Sequence, residues 1–314
     1  MNKLKKVGLT ALATTLVASS AYAGELSVSG SASLNYSGLS TNSNVNPWTM
    51  GDSVTFSGGG DLDNGMTVAV SYELDNAGGG HPLYDDYKLT LGLGDGLGTL
   101  TFSGDSVNAG GIDTVKDIIP TAYTPVYENT NAVDNGIAAA VGGRSTTSMW
   151  GYTNSVGDLT VSLGYNAINS TTAAEGAESS IGLSYTMDGV TAVAGLMDDG
   201  DMAEHQTIGL KYTTGPLTAA IQKTEINYDA AATNDQESMH IGASFAVNEN
   251  LSVSAGRLSV DIDTAVDDEI NTGFSASYTM GSISIGAAYN EVESAGGAAN
   301  ADAEVSSLNI AFAF

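Results

Sequence analysis

Hydrophobic and small polar residues alternate one by one along most of the chain. Near its start, Leu26, Val28 and Leu34 share one parity, whereas Ser27 and Ser33 share the other. Because successive side chains of a β-strand point to opposite faces, this alternation predicts a strand with one apolar and one polar face. A soluble β-sandwich would give the same alternation, so the period alone does not decide the fold.

The pattern recurs often enough to predict an all-β chain of sixteen strands. An even number of antiparallel strands, each about 9–11 residues long, is typical of barrels that cross a bilayer. The predicted strands are residues 25–36, 52–62, 66–75, 86–94, 97–104, 146–154, 158–166, 179–187, 190–197, 204–213, 217–224, 237–247, 251–258, 269–280, 282–291 and 304–314.

The connections between these strands alternate in length. Tight turns at one rim and longer, acidic loops at the other are the arrangement expected of an outer-membrane barrel. The predicted short turns contain Asp63-Asn64-Gly65, Gly94-Asp95-Gly96, Val156-Gly157, Asp188-Gly189, Thr214-Gly215-Pro216, Asn248-Glu249-Asn250 and Gly281.

Two features favour a membrane barrel over a soluble sandwich or a secreted adhesin. The polar parity carries mostly Ser, Thr, Gly, Ala and Asn, which would not fill a sandwich core to native density. Tyrosines on the apolar parity fall at strand ends, as in the two aromatic girdles of outer-membrane barrels. These are Tyr152, Tyr185, Tyr212 and Tyr278 before short turns, and Tyr36, Tyr72, Tyr165 and Tyr289 before long loops.

Both ends of the chain carry export and assembly signals. Lys3, Lys5 and Lys6 precede a short apolar run that ends in Ala21-Tyr22-Ala23. This is the pattern of a signal peptide over residues 1–23, and the run is too short for a spanning helix. The barrel is therefore predicted over residues 24–314. Its last strand ends in Phe314, which resembles the assembly signal of outer-membrane barrels.

Composition excludes several classes of function. The chain has 9 basic and 36 acidic residues, a formal net charge of −27, and no cysteine. Nucleic acid is excluded as a partner because binding its backbone needs clustered Lys and Arg. Disulfides and thiolate metal sites are excluded by the lack of cysteine. We expect no cofactor.

One connection is much longer than the rest. About forty residues, roughly 105–145, lie between the fifth and sixth predicted strands. A loop of this length in a compact domain is usually functional or disordered, and an empty barrel leaves room for it to fold inward. Its charged residues are Asp105, Asp113, Asp117, Glu128 and Asp134, with Lys116 and Arg144.

With this loop, the chain resembles the sixteen-stranded general porins of Gram-negative bacteria. The resemblance rests on the export site, the strand count, the long loop after the fifth strand, Tyr152-Thr153-Asn154-Ser155 followed by Gly157 and Tyr165, and terminal Phe314. It covers residues 24–314, and length and acidity look most like the porins of alphaproteobacteria. The resemblance implies a homotrimer in the outer membrane of a Gram-negative bacterium, with the third loop narrowing each lumen.

The resemblance also implies a cluster of Arg and Lys on the wall opposite the loop, and here the sequence departs from the family. In the first four strands the only basic residue is Lys88, on the lumen parity. A constriction dominated by carboxylates concentrates cations and repels anions. We therefore predict a cation-preferring channel for small hydrophilic solutes and ions. The predicted constriction residues are Asp105, Asp113, Asp117, Glu128, Asp134, Lys88 and Arg144.

Two alternatives stay open within this fold. A phosphate-selective porin would need lumen Arg and Lys, and a sugar-selective one would need a run of lumen aromatics. A barrel enzyme would need a convergent His with a Ser or Asp partner, and the spacing of His81, His205 and His240 shows no such pairing. His205 and His240 have the lumen parity, and we expect them to be water-exposed lumen residues and not metal ligands.

The remaining charged residues are expected to face lipid or solvent. Lys223 and Arg257 fall on the apolar parity, where either snorkelling to water, the favoured interpretation, or contact with lipopolysaccharide phosphates would satisfy them. Weak candidates for a structural Ca²⁺ site are Asp198, Asp199 and Asp201, since Ca²⁺ prefers carboxylate ligands.

Overall fold

The fold is a closed barrel of sixteen antiparallel strands, each hydrogen-bonded to its neighbours in the sequence. The structure is a computed structural model that describes residues 26–39, 46–75, 86–104, 110–127, 149–167, 176–200, 203–229 and 234–314. The strands are β1 Ser27–Leu39, β2 Trp48–Asp61, β3 Thr67–Asp75, β4 Asp86–Gly92, β5 Thr99–Ser103, β6 Met149–Val156, β7 Leu159–Asn166, β8 Glu178–Met187, β9 Val190–Asp198, β10 Ala203–Thr214, β11 Leu217–Tyr228, β12 Gln236–Ala246, β13 Leu251–Ile262, β14 Glu269–Met280, β15 Ile283–Glu293 and β16 Ala303–Ala313.

The predicted fold class and strand count are confirmed, and the barrel closes where the two ends of the chain meet. Strand β1 pairs with β16 from Ser31 opposite Ala313 to Leu39 opposite Val305. The backbone of Phe314 adds a further pair, because its N–H and carbonyl both hydrogen-bond to Gly30, at 3.0 and 2.8 Å. Closure leaves no unpaired sheet edge, which a membrane interior would not tolerate.

Alternation places the apolar side chains on the outer surface of this barrel. Ile208 on β10 and Phe274 on β14 are 61% and 62% exposed, and both lie on the apolar parity. In a globular protein such exposure would be costly, but facing hydrocarbon it is favourable. The opposite parity, which faces the interior, carries mostly small polar residues, with apolar ones such as Val193 and Leu258 where the interior is filled.

The short turns form where Asp and Gly residues adopt a backbone conformation with positive φ. Between β8 and β9 the chain reverses through Asp188 and Gly189, with φ of 50° and 82°. Positive φ at both central residues is the type I′ geometry, which matches the twist of the flanking strands and favours Asp-Gly. The hairpin register, Met187 opposite Val190, is thereby fixed.

Helical structure is confined to short 3-10 segments in the described part of the chain, at Gly111–Thr114 and Ala295–Gly297. Across the described residues, no helix is long and apolar enough to cross a membrane. The proposed signal peptide over residues 1–23 lies outside the described ranges and stays a prediction.

Candidate functional site: the loop along the inner wall

Residues 110–127, the described part of the long connection after β5, lie against the inner face of the barrel. The Gly111 N–H donates to Ser162 Oγ on β7 at 2.9 Å. Further along, Asn290 Nδ2 on β15 donates to the Pro125 carbonyl at 3.1 Å. Both wall residues have the lumen parity, so this segment spans the inner wall from β7 to β15.

Gln222 on β11 holds the middle of this segment. Its Nε2 donates to the Val115 carbonyl at 2.8 Å, and its Oε1 accepts from the Ile118 N–H at 2.9 Å. A second donor contact joins Nε2 to Thr207 Oγ1 on β10 at 2.8 Å. Gln222 is 1% exposed, so the side-chain amide pairs buried backbone groups that would otherwise be unsatisfied.

A pair of serines holds the far end. The Ala122 and Tyr123 N–H groups donate to Ser254 Oγ and Ser275 Oγ, at 2.8 and 3.1 Å. The two hydroxyls lie 2.8 Å apart and also hydrogen-bond to each other. Hydroxyls from two adjacent strands thus replace the hydrogen bonds that water would give the loop backbone.

Apolar contacts complete the attachment in two places. Ile112, Val115 and Ile118 of the segment pack with Val193, Met197 and Ala220 of the wall. Val126 packs with Leu258, Val260 and Ile262. Because these wall side chains point inward but are buried, they are a small core rather than water-exposed lumen.

Glycines on the lumen parity make room for the loop backbone. A Cβ added at Gly195 on β9 would lie 2.6 Å from Ile112 Cγ1, and one at Gly209 on β10 would lie 2.7 Å from Ile118 Cδ1. Real Cβ atoms do not approach other carbons this closely, so side chains here would displace the segment. Similar close approaches occur at Gly182, Gly242 and Gly286.

Asp113, one of the predicted constriction residues, lies in the 3-10 turn and forms an ion pair with Lys116. Burial of the carboxylate raises the pKa of Asp113 above its ordinary value, and the neighbouring Lys116 ammonium only partly offsets this. Desolvation therefore outweighs the ion pair at this site. The charge of Asp113 is in part neutralised within the loop itself.

Asp117 lies further along the same segment and accepts a hydrogen bond from the Tyr127 hydroxyl. The Tyr127 ring in turn contacts the His240 ring of β12 edge-on, with centroids 5.7 Å apart. The carboxylate is thus fixed by a residue ten positions later, which joins the middle of the described segment to its C-terminal end.

Lys88 lies on β4, outside the stretch of wall from β7 to β15 that gives residues 110–127 the hydrogen bonds described above. Its cross-strand neighbours are Ser71 on β3 and Ser103 on β5. It is the only basic residue between positions 7 and 115. The wall around it carries hydroxyls, among them Ser31 and Ser53, whose side-chain oxygens are 3.1 Å apart.

The other four predicted constriction residues, Asp105, Glu128, Asp134 and Arg144, lie outside the described residues. Their place in the channel, and hence the composition of the narrowest ring, stays a prediction.

The predicted water exposure of the lumen histidines is wrong for the two in the described ranges. His205 and His240 are 2% and 1% exposed. His205 Nε2 lies 3.4 Å from the Asp199 carboxylate, and His240 lies behind the loop against Tyr127. Parity correctly placed both on the inner face, but it could not indicate that other residues cover that face. His81 lies outside the described ranges.

The calcium candidates are only partly described. Asp198 accepts from the Gly200 N–H at 2.9 Å and is exposed, whereas Asp199 accepts from the Ala203 N–H at 2.7 Å and is buried. Within the described ranges no group of three or more His, Asp or Glu side chains is placed to hold a metal. Asp201 lies outside them, and the calcium hypothesis stays a prediction.

For Lys223 the structure shows more than the favoured interpretation, in which the side chain snorkels to water. Its ammonium lies 2.7 Å from Glu225 Oε1 and 2.9 Å from Glu237 Oε2, all three on the outer surface. The charge is therefore satisfied by neighbouring carboxylates and not by water alone.

Comparison with known proteins agrees with this architecture. A family model described as Gram-negative porin matches residues 8–314. No curated protein sequence matches the chain. Among solved structures, OmpT of Vibrio cholerae, an outer membrane protein in its trimer form, is similar at 12% identity and TM-score 0.70, covering 93% of this chain and 99% of that one.

Two further solved structures are similar over nearly their whole length. An anion-selective porin from Comamonas acidovorans matches at 16% identity and TM-score 0.66, covering 93% of this chain and 100% of that one. A mutant of the Rh. blastica porin matches at 12% identity and TM-score 0.61, covering 92% and 100%. At these identities the likeness concerns the fold, so ion preference must be argued from this chain's own residues.

Proposed function

Because the chain belongs to the Gram-negative porin family, we propose that its outer-membrane channel is a passive, cation-preferring pore for small hydrophilic solutes and ions. The family and the location are shown by the family match and the barrel. The ion preference, the solute class and the lack of enzymatic activity are the proposed part.

The observation that supports the ion preference is a contrast in charge between the sequence of the long connection and that of the first five strands. Residues 105–145 contain five acidic residues and two basic ones, whereas the wall of β1–β5 offers Lys88 as its only base. Carboxylates near a low-dielectric wall raise the local concentration of cations. Asp113 is partly neutralised by Lys116, so Asp117 is the stronger contributor among the described loop residues.

The wall opposite the loop supports a broad range of hydrophilic solutes. Serine and threonine hydroxyls on β1 and β2, such as Ser27, Ser31, Ser53 and Thr55, donate and accept hydrogen bonds and carry no charge. Most aromatic side chains of the strands lie on the outer parity, as with Phe274 and Tyr212, and the inner ones, such as Tyr123 and Tyr127 of the loop, form no continuous run along the wall. This distribution favours general diffusion over a sugar-selective path, which would need aromatic stacking surfaces inside.

Burial of His205 and His240 supports a passive role over an enzymatic one. A general base must come within hydrogen-bond reach of its substrate, and both rings are covered by the protein. A homotrimer is proposed on the resemblance to porins and on the trimer form of the Vibrio cholerae protein. Chemical cross-linking of the protein in detergent would test it, and a monomer alone would contradict it.

The channel function is tested by reversal potentials across a potassium chloride gradient in planar bilayers. We expect a potassium preference that weakens in Asp117→Asn. Glu249→Gln, in the exposed turn between β12 and β13, removes a carboxylate far from the loop and should leave the potential unchanged. A chloride preference in the unaltered protein, or equal effects of the two substitutions, would overturn the proposal.

A further inference from the structure

A groove runs along the outer, lipid-facing surface between β8 and β11. It consists of two adjoining concavities of about 400 and 480 Å³, which share Ile181, Leu196 and Gln206. These volumes lie within the range of small-molecule sites. The groove therefore has room for part of a lipid molecule.

Its lower part is apolar because a small residue lies between larger ones. Ala194 on β9 is flanked by Leu183 on β8 and Ile208 on β10, its direct cross-strand neighbours. Because the Ala194 side chain is small, a channel one strand wide lies above it, between the larger side chains of Leu183 and Ile208. Such a channel suits a hydrocarbon chain that lies along the barrel wall.

Its outer end is acidic. Asp198 and Glu204 line the upper concavity and face each other directly across the β9–β10 ladder. Like charges at such positions are destabilising unless a counter-charge lies between them. Among the described residues, the outer-parity charges beside the groove other than Lys223 are carboxylates, including Glu225 and Glu237.

Lys223 does not supply that counter-charge. It pairs with both Glu225 and Glu237, and Gln206 hydrogen-bonds to Glu225. An anionic headgroup would thus meet the three carboxylates that line the groove, those of Asp198, Glu204 and Glu225, and one ammonium that is already paired. A protonated amine would supply the counter-charge that this acidic end lacks and would be attracted to its carboxylates.

We propose that this groove binds a membrane lipid whose headgroup exposes a protonated amine. The hydrocarbon chain lies over Ala194, and the amine lies between Asp198 and Glu204. The combination of an apolar channel and an acidic end at the membrane interface selects this class over lipids with purely anionic headgroups. The site is separate from the channel, since its side chains have the outer parity.

The proposal is tested on the full-length barrel in detergent, with phosphatidylethanolamine and phosphatidylglycerol of the same acyl chains as probes. Native mass spectrometry would count the lipids retained from an equimolar mixture. We expect retention of phosphatidylethanolamine about tenfold above phosphatidylglycerol, equivalent to about 1.4 kcal/mol. Equal retention of the two, or stronger retention of phosphatidylglycerol, would overturn the proposal.

Two sets of variants distinguish the part of the groove that binds the hydrocarbon chain from the part that binds the headgroup. Ala194→Trp fills the lower groove and should lower retention about tenfold, whereas Ala276→Trp, on the outer parity of β14, should not. The double substitution Asp198→Asn with Glu204→Gln should remove the preference for the amine headgroup. Heat-modifiable migration confirms that each variant is a folded barrel. Equal loss in both tryptophan variants, or none in either, would mean non-specific lipid at the surface.

Discussion

The side-chain amide of Gln222 on β11 bonds to the Val115 carbonyl of the loop at 2.8 Å, across 107 positions of sequence. The oxygen of the same amide accepts from the Ile118 N–H, so this one side chain holds the loop against the barrel wall at two points, Val115 and Ile118. Together with the serines at positions 162, 254 and 275, it fixes the position of the loop against the wall.

Gln222→Leu should loosen the loop and increase the current noise of the open channel. The substitution leaves the Val115 carbonyl and the Ile118 N–H buried without partners, which costs about 1–3 kcal/mol for each group. Single-channel recording at fixed voltage measures the effect as wider current fluctuations. Thr218→Val changes another lumen residue of the same strand that pairs with Thr213, away from the loop, and should leave the noise unchanged. If the current fluctuations of Gln222→Leu were no wider than those of the unaltered protein, Gln222 would not be what holds the loop in place.

Gly195→Ala should displace the loop where it crosses β9. The added methyl would lie 2.6 Å from Ile112 Cγ1, and overpacking of this kind costs about 1–3 kcal/mol. We expect a lower thermal midpoint in detergent and an altered conductance.

Gly256→Ala is the matched control on β13. There the nearest loop atom, Val126 Cγ1, is 3.3 Å from the added methyl, so a small adjustment suffices. If the two alanine variants had the same midpoint and conductance, close packing of the loop on glycine would not set the lumen width.

The barrel was predictable from the sequence because lipid and water impose a period of two on every strand. The errors lie at strand ends: the largest are at the outer rim, and smaller ones occur at short turns, where β4 ends at Gly92 and β5 begins at Thr99. Strand β11 extends to Tyr228, beyond the predicted end at residue 224, because Glu225 and Asn227 are polar on the outer parity and weaken the alternation. Likewise β2 begins at Trp48, four residues before its predicted start.

The loop attachments were not predictable in the same way. Gln222, Ser254 and Ser275 lie on the lumen parity, but nothing local distinguishes a side chain that binds the loop from one that faces water. Their partners are more than 100 residues distant in sequence. The available signal was the run of lumen-parity glycines, Gly182, Gly195 and Gly209, on successive strands, which indicates a close backbone approach.

The cation preference should fall on acidification, beginning at a pH above the ordinary range of aspartate. Burial raises the pKa of Asp113, so this carboxylate binds a proton before fully exposed ones do as the pH decreases. The raised pKa also means that the docked loop binds the proton more tightly than the undocked loop. Docking is therefore favoured below the raised pKa and weakened as pH increases through it.

Reversal potentials measured from pH 7 to pH 3 would follow this titration. In Asp113→Asn the first decrease in cation preference should be lost. The decrease at lower pH should persist, since the substitution leaves the other carboxylates in place. Identical titration curves for the variant and the unaltered protein would show that Asp113 does not influence the ion path.

Gly30→Val should weaken closure of the barrel. Gly30 pairs with the backbone of Phe314, and a Cβ at this position would lie 2.5 Å from Phe314 Cε2. Valine would push the terminal ring away from β1 and loosen the last backbone hydrogen bonds at the seam between β1 and the chain end. On gels of unheated samples, the fraction that migrates as a folded barrel should decrease. Gly58→Val makes the same change on the outer parity of β2, where the nearest atom, Leu26 Cδ1, is 3.8 Å away. Because both variants add the same side chain to a strand, a deficit shared by the two would reflect the loss of glycine itself and would rule out a specific role for the contact with Phe314.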